Sequence, residues 1–165
     1  MPSHTTRLRQ LLDDPEILIT PGAYDGTGAR LVASTGFDAV YIGGFEASAS
    51  LLAQPDDGYL SGAQTATRIA AIAGALPGVP IVADGDTGYG NPLNVRATVR
   101  AYERAGAAAI HIEDQTWPKR CGHMLGREGN PRRGHGPEDR GRRRGARRPR
   151  LRGDRPHRRT HRTWN

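Results

Sequence analysis

Apolar runs alternate with stretches of helical periodicity along the first two thirds of the chain. "TTRLRQLLD" (5–13) places Leu8, Leu11 and Leu12 on one side and predicts a short helix. "ILITPGAYD" (17–25) is a β-rich apolar run that stops at Pro21-Gly22, and "GARLVASTG" (28–36) reads as a helix ended by Gly36. "FDAVYIGG" (37–44) reads as a buried strand that ends in glycines. "ATRIAAIAGAL" (66–76) carries Ile69, Ile72, Ala73 and Leu76 at helical spacing, is broken by Pro77-Gly78, and is followed by the apolar strand "VPIVADGDTG" (79–88). "NVRATVRAYERAG" (94–106) aligns Val95, Val99 and Tyr102 on one face, turns Arg96, Arg100, Glu103 and Arg104 outward, and closes on Gly106. "AAIHIEDQ" (108–115) is the fourth strand.

Strands that are continuously apolar, rather than alternating, imply a parallel sheet covered by helices. A (β/α)8 barrel and a doubly wound open sheet both satisfy that pattern. The polar residues favour the barrel. They cluster after successive strands as Tyr24-Asp25, Gly43-Gly44, Asp84 with Asp86, and Glu113-Asp114, and barrel sites are assembled at C-terminal strand ends. The glycine spacing of "GDTGYG" matches no nucleotide-binding fingerprint. The fold expected is therefore the first four βα units of a TIM barrel.

Composition changes the picture only beyond Glu128. Residues 1–128 hold 10 Lys+Arg and 14 Asp+Glu, whereas residues 129–165 hold 14 Arg, no Lys and three acids. The overall charge of +7 thus arises in a segment whose aliphatic residues are Ala146 and Leu151. Such a segment cannot bury enough apolar surface to offset its chain entropy, so a disordered Arg-rich tail is expected. A basic arm that binds nucleic acid through its phosphates is the competing reading. It has Trp164 as its one aromatic and no lysine, so no specific nucleic-acid partner is expected. The single cysteine, Cys121, excludes an internal disulfide. With no signal-like or membrane-spanning stretch, the expected location is the cytoplasm.

Two constellations carry candidate chemistry. Asp84 and Asp86, two apart on a strand, crowd negative charge at the barrel mouth. With Asp56-Asp57 and Glu113-Asp114 they form an oxygen-only set of the kind that suits Mg²⁺. Helix capping and rim solvation explain single members of that set equally well. Cys121 is flanked by Lys119, Arg120 and His123, cations that lower a thiol pKa, and by Gly122, which permits a mobile loop. On the residues alone, an inert cysteine in a basic surface loop also fits. His111 reads as a satisfied core histidine, Tyr41 as packing or a substrate contact, and Trp117 as loop packing.

"PGAYDGTGARL" (21–31), "VADGDTGYGN" (82–91), "HIEDQ" (111–115) and above all "KRCGH" (119–123) resemble the isocitrate lyase/phosphoenolpyruvate mutase superfamily. Within it they are most similar to the 2-methylisocitrate lyases and the proteins labelled carboxyvinyl-carboxyphosphonate phosphorylmutase. The resemblance spans about residues 5–128. It implies an often tetrameric barrel enzyme that makes or breaks a bond beside the enolate of a small α-keto acid. It further implies that Asp84 binds Mg²⁺ directly, that Asp56, Asp86 and Glu113 hold it largely through water, and that the ion stabilises the developing enolate. Cys121 would donate a proton to the departing carbanion, while Lys119, Arg120 and His123 belong to the loop that closes over the carboxylic acid substrate. Tyr41, Gly43, Gly44 and Asp84 would hold the keto acid. The family usually carries Ser-Gly at Gly43-Gly44, so one hydroxyl is missing here. The cysteine loop favours the carbon–carbon lyase branch over the mutases.

The resemblance stops at Glu128, and the genetic code offers a reason. Gly129-Asn130-Pro131 can be coded GGT AAT CCC, which reads Val-Ile-Pro one nucleotide later. Residues 154–159 can be coded GAT CGC CCG CAC CGA CGC, which, with the A that opens Thr160, reads Ile-Ala-Arg-Thr-Asp-Ala, like a motif of the family's next strand. The expectation is a frameshift after Glu128, residues 1–128 forming a half-barrel and 129–165 an out-of-frame tail. An open half-barrel should be poorly stable and close to inactive. Sequencing the gene across the Glu128 codon tests that reading.

Overall fold

The computed structural model describes residues 3–130. Helix α1 (His4–Asp13) is capped by the Ser3 hydroxyl, which accepts from the backbone N–H of Thr6. Helix α2 (Gly26–Ser34) is capped by Asp25, which accepts from the Gly28 N–H. Strand β1 (Val40–Ile42) leads directly into α3 (Gly44–Leu52), with Gly43 as its N-cap. Helix α4 (Gly62–Ala75) opens on a capping box formed by Ser61 and Gln64. Strand β2 (Ile81–Asp84) is followed by α5 (Pro92–Ala105), which combines an Asn91–Asn94 capping box with Pro92 in its first turn. Gly106, at φ 103°, terminates α5 in the left-handed conformation that glycine adopts without penalty. Strand β3 (Ala109–His111) completes the sheet.

The strands run parallel in the order β1-β2-β3. Tyr41 stands opposite Val82, Val82 opposite Ala109, and Asp84 opposite His111. Alternate residues divide between two faces. Val40, Ile42, Ile81 and Ala83 pack into a core with Ile69, Ile72 and Leu76 of the α4 segment, Ala29 of α2 and Tyr102 of α5. Tyr41, Val82, Asp84 and Ala109 are half-buried and His111 is exposed. This is the strand face that lines the interior of a TIM barrel. Both faces were expected to be buried; among the described residues only the helix-covered face is.

The structure differs from the sequence reading at three elements. The run 17–25 forms no strand. It joins the sheet at one parallel bridge, Gly22 to Tyr41, where the Ala23 N–H donates to Tyr41 O (2.8 Å) and the Tyr41 N–H to Pro21 O (2.9 Å). Pro21 brings no N–H to a ladder, and Ile17 and Ile19 are 83% and 59% exposed, without neighbours to pair on their far side among the described residues. Helix α3, at the end of a segment read as strand and turn, was not anticipated at all; it begins on Gly44 and stops at Ala53, which lies in the left-handed region at φ 52°. His111 is no core histidine, because it sits on the open face of β3.

The described residues belong to one compact unit, Met1–Asn130. Gly129 and Asn130, assigned to the tail by composition, are tied to the strand-end loop: Gly129 bridges antiparallel to Gln115, and the Asn130 N–H donates to Asp114 O (2.8 Å). The rest of the expected Arg-rich tail lies outside the described residues. No helix among the described residues is long and apolar enough to cross a membrane.

Candidate active site

The strand ends bring the acidic residues together. Asp84, the last residue of β2, accepts the Gly44 N–H at the start of α3 on Oδ2 (3.1 Å) and the Asp86 N–H on Oδ1 (2.9 Å). The chain then turns at Gly85, whose N–H donates to His111 O (2.8 Å). Asp86 follows in the left-handed region at φ 48° and is 4% exposed. The two carboxylates therefore do not stand side by side on an extended strand, as the i, i+2 spacing implied. The turn rotates Asp86 away, and its amide caps the carboxylate of Asp84 instead. Asp56 approaches from the loop after α3, which the buried hydroxyl of Ser48 holds by donating to Pro55 O (2.9 Å). A Cβ built on Gly44 would lie 3.1 Å from both Asp56 Oδ1 and Asp84 Oδ2, so these carboxylates converge on one point of backbone where glycine leaves room.

Lys119 occupies the space between them. Its Nζ lies 2.5 Å from Asp56 Oδ1 and 2.5 Å from Asp86 Oδ1, and the residue is 3% exposed. Burial opposes the ammonium charge, but hydrogen bonds and attraction from Asp56 and Asp86 outweigh it and hold the Lys119 pKa above its ordinary value. Burial pushes the Asp56 and Asp86 carboxyls up, and Lys119 pulls them back. The sequence placed Lys119 as one of the cations around the Cys121 thiol; the structure spends its charge on the two carboxylates. Cys121 itself is 6% exposed, and its N–H donates to Asp57 Oδ1 (3.4 Å). Arg120 is fixed by its backbone, which exchanges hydrogen bonds with the Gln115 amide (3.0 and 3.1 Å), while its side chain and His123 are exposed. Residues 122–128 are all exposed.

Tyr41 reaches across β2 to His111, with its hydroxyl 3.3 Å from Nδ1. Burial, then the charges of Asp84, Glu46, Glu113 and Asp56, push its pKa well above the ordinary tyrosine value. Glu113 is linked to the acidic turn through its backbone, donating to Asp86 O (2.8 Å), while its carboxylate accepts from the Gln115 side-chain amide. Sequence reasoning missed Glu46. It sits in the first turn of α3, and a Cβ placed on Gly43 or Gly22 would run into its carboxylate. Its carboxylate thus takes the space beside Gly43 that a serine side chain would need. An acid two residues past a Gly-Gly pair was the available signal, once that pair is seen to open a helix.

The donor set fits Mg²⁺ in kind. It is all oxygen, and Asp84 has no cation partner among the described residues. No three acidic, histidine or cysteine side chains among the described residues form a ready-made cage.

The family model for phosphoenolpyruvate phosphomutase matches residues 8–130. The chain belongs to this family. It is 50% identical over 122 residues to the 2,3-dimethylmalate lyase of Eubacterium barkeri, covering 74% of this chain and 42% of that protein. It is 43% identical over 120 residues to a 2-methylisocitrate lyase of Aeropyrum pernix, covering 73% and 38%. The structure of a phosphonopyruvate hydrolase complexed with oxalate and Mg²⁺ superposes with a TM-score of 0.68 at 37% identity, over 76% of this chain and 44% of that one. The family's relatives include lyases, mutases and hydrolases built on TIM barrels, and the parallel three-stranded sheet with its covering helices corresponds to part of that barrel. The chain spans about two fifths of the length of the curated relatives it matches.

Proposed function

We propose that these residues form the metal-and-thiol part of a carbon–carbon lyase site acting on a 2-methylisocitrate-like acid, releasing an α-keto acid and a dicarboxylate. The observation that carries the proposal is the convergence of Asp56 and Asp84 beside Gly44, with Asp86 tied to Asp56 through Lys119 and the Cys121 loop rooted on the adjacent Asp57. The lyase names of the relatives support the reaction class, and the Mg²⁺ in the phosphonopyruvate hydrolase complex supports the ion.

Asp84 would hold Mg²⁺ directly, with Asp56, Asp86 and Glu113 acting through water. When bound, the ion would supply positive charge against the substrate oxygen that becomes the keto carbonyl as the carbon–carbon bond breaks. The chain's own groups do the rest. The Gly43-Gly44 backbone and Tyr41 seat the keto acid, and the Tyr41–His111 hydrogen bond fixes the hydroxyl. As the carbon–carbon bond breaks, the substrate hydroxyl loses its proton to solvent water, Cys121 gives its own proton to the dicarboxylate carbanion, and Arg120 and His123 extend the loop over the thiol. Lys119 contributes through the two carboxylates it pairs. A di- or tricarboxylate also needs cations for its other carboxylates. Among the described residues at the site, the Lys119 ammonium is already paired, and Arg120 and Arg127 lie exposed on the loop. Turnover of the full substrate by this 165-residue chain is therefore expected only at trace level.

A partial reaction tests the proposal without that grip. In D₂O with Mg²⁺ and saturating pyruvate, the chain should speed deuterium exchange into the methylene groups of succinate, supplied at high concentration in place of the missing grip and followed by proton NMR, and EDTA or Cys121→Ala should abolish the gain. Exchange no faster than in buffer would overturn the assignment.

A further inference from the structure

The loop that carries the thiol is gripped at three successive residues. Lys119 is held by Asp56 and Asp86 at 2.5 Å each, Arg120 by both ends of the Gln115 amide, and Cys121 by Asp57. Two of the grips come from neighbours in one short acidic loop, Asp56 and Asp57, and that loop is itself pinned to α3 by Ser48. Beyond Cys121 the backbone carries few ties: the Met124 N–H donates to Cys121 O (2.9 Å), and the next link to the body is Glu128 O, which accepts from the Thr116 N–H (2.7 Å). Every residue from Gly122 to Glu128 is exposed.

The grips are unequal. The Asp57 contact is a long neutral-donor hydrogen bond, and the Gln115 contacts lie at the surface. Lys119 alone places a full charge between two carboxylates away from water, where such pairs resist separation far more than at the surface. We propose that Lys119 is a latch: its ammonium fastens the root of the cysteine loop to the Asp56–Asp86 pair, and this fastening, not the packing of the loop, keeps the Cys121 thiol covered. Lys119 is then a positioning residue, acting on the thiol through two carboxylates from different strand-end loops. The acidic turn and the thiol loop move as one piece. The proposal rests on the lyase reading only for the meaning of the thiol, not for the latch itself.

Cys121 is the chain's one cysteine, so thiol alkylation reports the loop directly. The experiment measures the rate of iodoacetamide reaction with the resting 165-residue chain, free of metal and substrate. Lys119→Met should raise the rate about tenfold or more by letting the loop root open. Because that variant leaves two buried carboxylates uncompensated, the triple variant K119M/D56N/D86N is measured beside it. It removes the latch without leaving a buried charge, and it should keep the wild-type far-UV circular dichroism while reacting as fast as the single variant. Arg127→Met, which removes an exposed cation from the same loop, should leave the rate unchanged. A folded triple variant that alkylates at the wild-type rate overturns the latch, as does an Arg127→Met effect as large as that of Lys119→Met. Neither result depends on turnover, so failure of the latch and failure of the lyase reading are read separately.

Discussion

Replacing Gly85 with alanine adds one methyl group at the point where β2 hands over to the acidic turn. A Cβ there would lie 2.7 Å from Ile110 Cδ1, 2.9 Å from its Cγ1 and 3.1 Å from the carbonyl oxygen of His111. The isoleucine can rotate, but the carbonyl cannot easily yield, because it accepts the Gly85 N–H at 2.8 Å and holds the turn against β3. Overpacking of this kind costs roughly 1–3 kcal/mol, and the displaced strand is only three residues long. The strain would pass along β3 to Glu113, whose N–H donates to Asp86 O at 2.8 Å. Gly74 is the matched control: it lies inside α4, and a Cβ there meets nothing within 4 Å. Alanine at that position should stabilise by about 0.5–1 kcal/mol through helix propensity and unfolded-state entropy. Urea unfolding followed by circular dichroism compares the two. The reasoning predicts a lower midpoint for Gly85→Ala and a higher one for Gly74→Ala. An unchanged or raised midpoint for Gly85→Ala would show that the turn does not need its glycine.

Stability should also fall at alkaline pH. Burial raises the pKa values of Tyr41, Tyr89 and Tyr102, the last to about 12. The folded chain therefore binds protons that the unfolded chain releases near pH 10. Stabilisation from these groups is complete below the unfolded value and is lost as pH rises through the folded values. Urea midpoints should decline steadily above about pH 10, and Tyr102→Phe should flatten the decline; a level wild-type profile would contradict it. The Lys119 pair gives another stability test. Lys119→Met should cost about 3–5 kcal/mol by stranding two buried carboxylates, while K119M/D56N/D86N should unfold near the wild-type midpoint. Equal losses in both variants would contradict this, placing the cost in the lost pairs themselves rather than in stranded charge.

The helices were legible where sequence chemistry is local. Periodicity and the Gly106 stop placed α4 and α5, while the Ser61–Gln64 and Asn91–Asn94 caps start them four and two residues earlier than the apolar repeat alone showed. Helix α3 was not legible, because its start at Gly43-Gly44 looks like a turn until Asp84 is known to accept the Gly44 N–H from forty residues away. The run 17–25 had strand composition, but pairing depends on neighbours, and its Ile17 and Ile19 face outward. At the site, the sequence singled out Asp56, Asp84, Asp86 and Lys119, which the structure brings close together. It could not show that Lys119 serves the carboxylates rather than the thiol, because that choice is made by a contact across 63 residues. Glu46 was hidden for the same reason: its relation to Gly43 exists only once α3 has formed.

The central claim is that the carboxylate at the end of β2 anchors a divalent ion. Titrating the chain with Mn²⁺, followed by electron paramagnetic resonance, tests it most directly, with Mg²⁺ added afterwards as competitor. The account predicts one bound ion per chain, displaced by Mg²⁺ and weakened at least about a hundredfold by Asp84→Asn, which keeps the side-chain shape while removing its charge. Mn²⁺ binding of equal strength in the wild type and in Asp84→Asn, or no binding to the folded wild type, would contradict it.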